Sequence, residues 1–225
     1  MNSKDPLKLP PECEGLTQEQ AIRVAKGAKK LIQAHRRNVA ARNQSDGDKP
    51  EIADIWFASR PRRDHTTMPW LVDQIVSGGQ TGVDRAALDA AIELGIPHGG
   101  WCPSGRLAED GPLDVRYRLR ETDGCGYRQR TRLNVADSDG TLILNEGKLS
   151  TGTALTTKLA VMMGKPHLIV CLDAQVAGEN GDLVRTWCAD NAISVLNVAG
   201  PGERKRPGIY DRSLGFLLAV LVGTG

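Results

Sequence analysis

The sequence has no apolar run long enough to span a bilayer. The longest, 214–223, is ten residues, against the roughly 20 a membrane helix needs. No basic segment leads into an apolar one near Met1, so no secretory signal is expected and the protein reads as soluble and cytoplasmic. The five cysteines, at 13, 102, 125, 171 and 188, are odd in number, far apart and without a C-x-x-C pair. That excludes a disulfide framework and the usual structural zinc spacings. The four histidines form no H-E-x-x-H pattern. A cationic excess is also missing from most of the chain: 71–225 hold 16 Lys and Arg against 18 Asp and Glu, whereas 1–70 hold 13 against nine. Nucleic acid is therefore not an expected partner, and any anion must be met by a local site.

What is present is ordinary globular composition, 40% apolar and 25% charged, enough for a real core. Residues 1–69 read as an N-terminal extension. T-x-x-Q at 17–20 resembles a capping box, and Ile22, Ala25, Ala28 and Ile32 recur at helical spacing, predicting a helix over 18–37. Its unbroken basic residues, from Arg23 to Arg37, fit a solvated face better than a dock for an acidic partner. Residues 38–50 are linker-like. From 70 to 225 strands alternate with helices: strands over 72–76, 97–101, 117–121, 141–144, 167–172 and 192–198, helices over 83–94, 127–135, 154–163, 183–190 and 210–222. This alternation predicts an α/β domain with an open, mainly parallel sheet and helices on both faces.

Three segments could carry chemistry. S-G-G-Q-T-G (77–82) falls between a strand and a helix, where glycines allow close approach and the helix N-terminus attracts phosphate. It departs from the dinucleotide fingerprint at its first position and lacks the Lys-Ser/Thr of a Walker loop. L-S-T-G-T (149–153) repeats the arrangement after the 141–144 strand, so the two loops predict one shared crevice at the ends of parallel strands. G-G-W-C-P-S-G-R (99–106) leads to Glu109 and Asp110, with Arg106 a candidate bidentate phosphate fork. Cys102 reads as a buried structural thiol, and the 137–140 run D-S-D-G as a turn. No acid–base dyad, triad or metal constellation emerges, so the residues argue for binding more than for catalysis.

The segments VSGGQTGVDRAALDAA (76–91), GGWCPSGRLAEDG (99–111), YRLRET (117–122), QRTRLNVADSDGTLIL (129–144), GKLSTGT (147–153) and NVAGPGERKRPGIY (197–210) resemble the molybdenum-cofactor carrier proteins. These are a circularly permuted branch of the Rossmann-like SLOG superfamily. The resemblance covers about 70–225. It implies a homo-oligomer that holds the molybdenum cofactor, a molybdopterin bearing a phosphate, and protects it for delivery to molybdoenzymes. It also implies Gly78, Gly79, Thr81 and Gly82, then Thr151, Gly152 and Thr153, as the phosphate loops, with Ser104 and Arg106 in the W-C-P-x-G-R motif. The wider superfamily implies, as the alternative, a nucleotide-processing enzyme or a nucleotide sensor. Its phosphoribohydrolases use P-G-G-x-G-T-x-x-E, and no glutamate occurs here between 154 and 163.

Overall fold

Parallel strands that are buried on both faces need apolar side chains at nearly every position, and the 140–145 segment G-T-L-I-L-N is buried throughout. In chain order, the structure (a computed structural model) begins with β1 (Gln74–Val76), α1 (Val83–Leu94), β2 (His98–Gly99) and β3 (Trp101–Cys102). A 3₁₀ turn (Ser104–Arg106), β4 (Leu107–Ala108), β5 (Gly111–Pro112) and β6 (Arg120–Glu121) follow. Then come α2 (Tyr127–Ala136), β7 (Gly140–Asn145), α3 (Thr151–Met162), β8 (His167–Cys171), α4 (Ala177–Asp190), β9 (Val195–Ala199) and α5 (Ile209–Leu221). The described residues are 70–124, 126–172 and 177–222; the helix expected over 18–37, the linker over 38–50 and the remainder of the 1–69 extension lie outside them.

The main sheet has the order β2-β1-β9-β7-β8, and every pair in it is parallel. Successive residues of a strand face opposite sides. Leu142, Leu144, Leu196 and Val198 join the cluster that holds Val83, Ala87, Val184, Ile209 and Leu217 of α1, α4 and α5. A separate cluster of Val135, Leu159 and Ala160 belongs to α2 and α3. The expected Rossmann-like α/β architecture is therefore present. From the middle of this sheet the chain runs outward to β2 at one edge and to β8 at the other, with β9 inserted between β1 and β7. At such a switch point the loops after neighbouring strands diverge and leave a crevice. Among the described residues no helix is long and apolar enough to cross a membrane.

Beside the sheet, residues 101–122 build a small second layer, with β3 parallel to β6 and β4 antiparallel to β5. The strand expected over 97–101 is split into β2 and β3 at Gly100, whose φ is +128° and where a Cβ would lie 2.2 Å from the Ser77 carbonyl oxygen. Only a glycine lets the chain turn out of the main sheet there. The strand expected over 117–121 shrinks to β6 because Leu119 N–H bonds the Tyr117 carbonyl in a tight turn, 2.8 Å. Tyr117 and Leu119 alternate because both pack into the cluster of Leu88, Cys102 and Leu113. Helix α3 begins earlier than expected, since Ser150 caps it by accepting from Thr153 N–H.

Asn134 on α2 joins the layer to the sheet. Its Oδ1 accepts Trp101 N–H at 2.8 Å and its Nδ2 donates to the Trp101 carbonyl at 3.1 Å. Asn134→Ala leaves both main-chain groups without partners, and a loss of about 2 kcal/mol is expected, read as a lowered urea midpoint.

Candidate functional site

At the carboxyl ends of β1, β7 and β9 three loops meet around a cavity of about 270 Å³. The first follows β1. Ser77 Oγ donates to the Val198 carbonyl of β9 at 2.8 Å. At Gly82 (φ +74°) a Cβ would fall 2.5 Å from the Pro201 carbonyl oxygen, so a bare backbone is what lets this loop lie against the third one, 200–208. Thr81 Oγ1 donates to Glu109 Oε2 at 2.8 Å and accepts Glu203 N–H at 3.2 Å, bridging three segments. Gly78 forms part of the cavity wall, while Gly79 faces away and packs on Leu113 and Leu119.

The second loop ends in the N-terminus of α3. Ser150 and Gly152 line the cavity; Thr151 is exposed beside them. Thr153 is buried and its hydroxyl lies 2.8 Å from Ser150 Oγ, so it supports the cap. The first-turn amides and the positive end of the helix dipole favour an anion here.

The floor holds a charge pair absent from the sequence-based list. Asp84 of α1 and Arg130 of α2 meet at 2.6 Å, with side chains 7% and 11% exposed. Burial pushes the Asp84 carboxyl up, while Arg130 and the amides of Gln80 and Gly200 pull it back. The Arg130 guanidinium lies so close over Gly78 that a Cβ there would sit 1.4 Å from Nη1. Its Nε is buried without a hydrogen-bond partner. Lys205 adds a second cation to the wall, and Tyr127, Leu155 and Pro201 supply apolar surface. A groove of about 310 Å³ that shares Ser150, Pro201 and Lys205 continues past Lys148 and Arg206.

Ser104 and Arg106 do not line this cavity. Ser104 is exposed in the 3₁₀ turn. Arg106 directs its guanidinium inward, to the main-chain carbonyls of Leu113, Leu119, Asp114 and Tyr117 at 2.9–3.3 Å. The phosphate fork expected of Arg106 is thus occupied by its own chain, and the arginine that reaches the cavity is Arg130. Of the two acids that follow the 99–106 motif, Glu109 lines the cavity. Asp110 is paired with Arg85 at 3.0 and 3.1 Å, and that contact holds its carboxyl below its ordinary value. Asp84 had one sequence signal: it shares a helical face with Leu88 and Ala91, where an unpaired acid is costly. Arg130 had none, standing in a run of polar and basic residues.

A parallel sheet with a loop-built crevice at its switch point defines a Rossmann-like α/β protein. The chain belongs to the circularly permutated YpsA SLOG family, whose model matches residues 75–221. It is similar to the crystal structure described as "Putative molybdenum carrier protein" from Syntrophus aciditrophicus, with 46% identity and a TM-score of 0.65 over 67% of this chain and 95% of that one. No curated protein matches the chain.

Both arginines, Arg106 and Arg130, are expected to contribute to stability, through different partners. Arg106→Ala removes partners from four carbonyls and is expected to cost about 2 kcal/mol or more in urea denaturation. Arg130→Ala leaves Asp84 buried and unpaired, at an expected cost of about 3 kcal/mol. With its counter-charge gone, Asp84 has a folded pKa raised further above the unfolded one. The variant's deficit relative to wild type is therefore smallest below the unfolded pKa and grows as pH rises through the folded pKa. The double variant with Asp84→Asn should lose that slope, which urea midpoints at several pH values will show.

Proposed function

We propose that this protein binds the molybdenum cofactor or a related phosphorylated pterin as cargo, and protects it for delivery to molybdoenzymes. The observation that carries the reading is the convergence, in one cavity, of the α3 N-terminus, the bare backbone of Gly78 and two cations, Arg130 and Lys205. Each is suited to a phosphate: amides and dipole at a helix start, a planar guanidinium, and a mobile ammonium. The name of the similar Syntrophus protein supports molybdenum as part of the cargo.

The donor set fits the phosphate and pterin parts. Gly152, Ser150, Arg130 and Lys205 would hold the phosphate, while Tyr127, Leu155 and Pro201 would shelter the ring. Gly79, Thr81, Gly82, Thr151 and Thr153 shape the loops around it. The metal and its sulfur ligands travel with the cargo; redox chemistry belongs to the enzymes that receive it. At about 270 Å³ the cavity stands near the lower end of small-molecule sites, roughly 300–1,000 Å³, and the adjoining groove enlarges it. A nucleotide is the alternative ligand for the same donors.

Native mass spectrometry of gently purified protein, followed by oxidative pterin detection on the released ligand, tests the reading and gives the oligomeric state, expected to be a homo-oligomer. A released molybdopterin supports the carrier; a released nucleotide moves the function to sensing or processing. Gly152→Asp provides the matching variant. A Cβ at Gly152 meets nothing within 4 Å, and an acid in the first turn of a helix is mildly stabilising. The variant is expected to keep or slightly raise the melting temperature while losing at least about tenfold in affinity for the phosphorylated ligand, a like-charge effect of about 1.4 kcal/mol.

A further inference from the structure

Besides the cations, the cavity wall carries a second, differently built set of polar groups. Gln80 and Glu109 both line it. The orientation of the Gln80 amide is fixed, because its Oε1 accepts Thr81 N–H at 2.9 Å and Glu109 N–H at 2.8 Å. An amide oxygen held by two N–H donors leaves the Nε2 hydrogens as the donors the side chain has to offer. Glu109 is fixed as well. Its Oε2 accepts the Thr81 hydroxyl at 2.8 Å and lies close enough to Gly202 that a Cβ there would be 3.0 Å away. Its Oε1 has no hydrogen-bond partner among the described residues. The rim therefore presents a carboxylate oxygen, Glu109 Oε1, beside an amide donor, Gln80 Nε2, and neither atom is hydrogen-bonded within the described residues.

We propose that Glu109 and Gln80 read the edge of a 2-amino-4-oxopyrimidine ring, the edge shared by pterins and guanine, on a ligand whose phosphate is held at the α3 N-terminus. That edge offers an exocyclic amine and a ring N–H side by side, then a carbonyl oxygen. The two adjacent N–H groups suit a carboxylate, and the carbonyl suits the Gln80 Nε2 donor. Adenine inverts the pattern: it sets a ring nitrogen lone pair where the ring N–H would be and an amine where the carbonyl would be. Each inversion places like against like, so rejection comes from unpaired and repelling groups as well as from lost bonds. This inference rests on the proposed phosphate site but not on the presence of molybdenum.

Isothermal titration of the full chain with GMP, IMP, AMP and neopterin monophosphate provides the test. GMP and neopterin monophosphate are expected to bind at least about tenfold tighter than AMP, the usual scale for hydrogen bonds to a charged group. IMP, which lacks the exocyclic amine, should fall between them. Glu109→Gln and Glu109→Ala should each shrink the ratio of GMP to AMP affinity to less than about threefold, about 0.65 kcal/mol, by weakening GMP and relieving the repulsion of AMP. Thermal melts of both variants verify the fold. Absence of a preference in the wild-type chain, or its survival in both variants, overturns the assignment. The arms also separate the two proposals. A Glu109-dependent preference in a chain that releases no molybdopterin sustains the ring reading and removes the carrier. Bound molybdopterin with no effect of Glu109 does the reverse.

Discussion

Asp84 is a carboxylate on the core face of a helix, a position where the fold would ordinarily place an apolar side chain. Removing such a charge from water costs several kcal/mol, and the protein offsets that cost with groups from three separate segments. Arg130 comes from α2, the Gln80 amide from the loop after β1 and the Gly200 amide from the loop after β9. Two of the three walls of the cavity, and the helix that supplies its arginine, are thereby held to one buried atom group. An apolar pair of similar volume could be as stable. It would not orient a guanidinium over Gly78.

The second layer works on the same principle with different chemistry. Arg106, at φ +53°, draws four carbonyls of the 113–119 segment around one guanidinium. Asp89 then fastens that segment to the main domain, accepting Tyr117 OH and Arg116 on one oxygen and Tyr210 OH on the other. Burial and the Asp89 carboxylate push the Tyr210 hydroxyl up to about 12, so it stays a donor throughout the physiological range. The payoff of this scaffolding is the position of the β4–β5 hairpin, which carries Glu109 to the cavity rim and is latched there by Gln80 and Thr81. A flap tethered by main-chain and side-chain bonds on both sides is a wall of the site, and its carboxylate is as well placed as the glycine loop it touches.

Much of this was legible in the sequence, and the rest fails for identifiable reasons. The α1 helix follows from its periodicity, the strand expected over 141–144 from its apolar run, and the shared crevice from two glycine–hydroxyl loops after parallel strands. The second layer was misread because its alternation at 117–121 arises from packing into a local cluster, whereas strand assignment assumes pairing along a sheet. The positions of Arg106 and Arg130 differ from expectation for a related reason. Next to glycines and acids in a turn-rich motif, Arg106 has the composition of a binding site, yet a turn that exposes carbonyls on its inner side is itself a ligand for a guanidinium. Arg130 sits in a polar helix, and only the tertiary crossing of α2 over the glycine loop brings it to the cavity.

Two kinds of polar group can therefore be distinguished around the crevice. Those with all their partners inside the chain, such as Asn134, Arg106, Thr81 and Asp110, define shape. Those with capacity remaining, Arg130, Gly152 at its helix start, Lys205, Glu109 and Gln80, all line one cavity. The first three are cationic or amide donors and the last two form an acceptor–donor edge. On the proposed reading, such a site takes a ligand that is anionic at one end and a hydrogen-bonding ring at the other. Binding and shielding require just that complementarity, and this asks less of the side chains than bond cleavage, which demands a proton donor or nucleophile aimed at one atom.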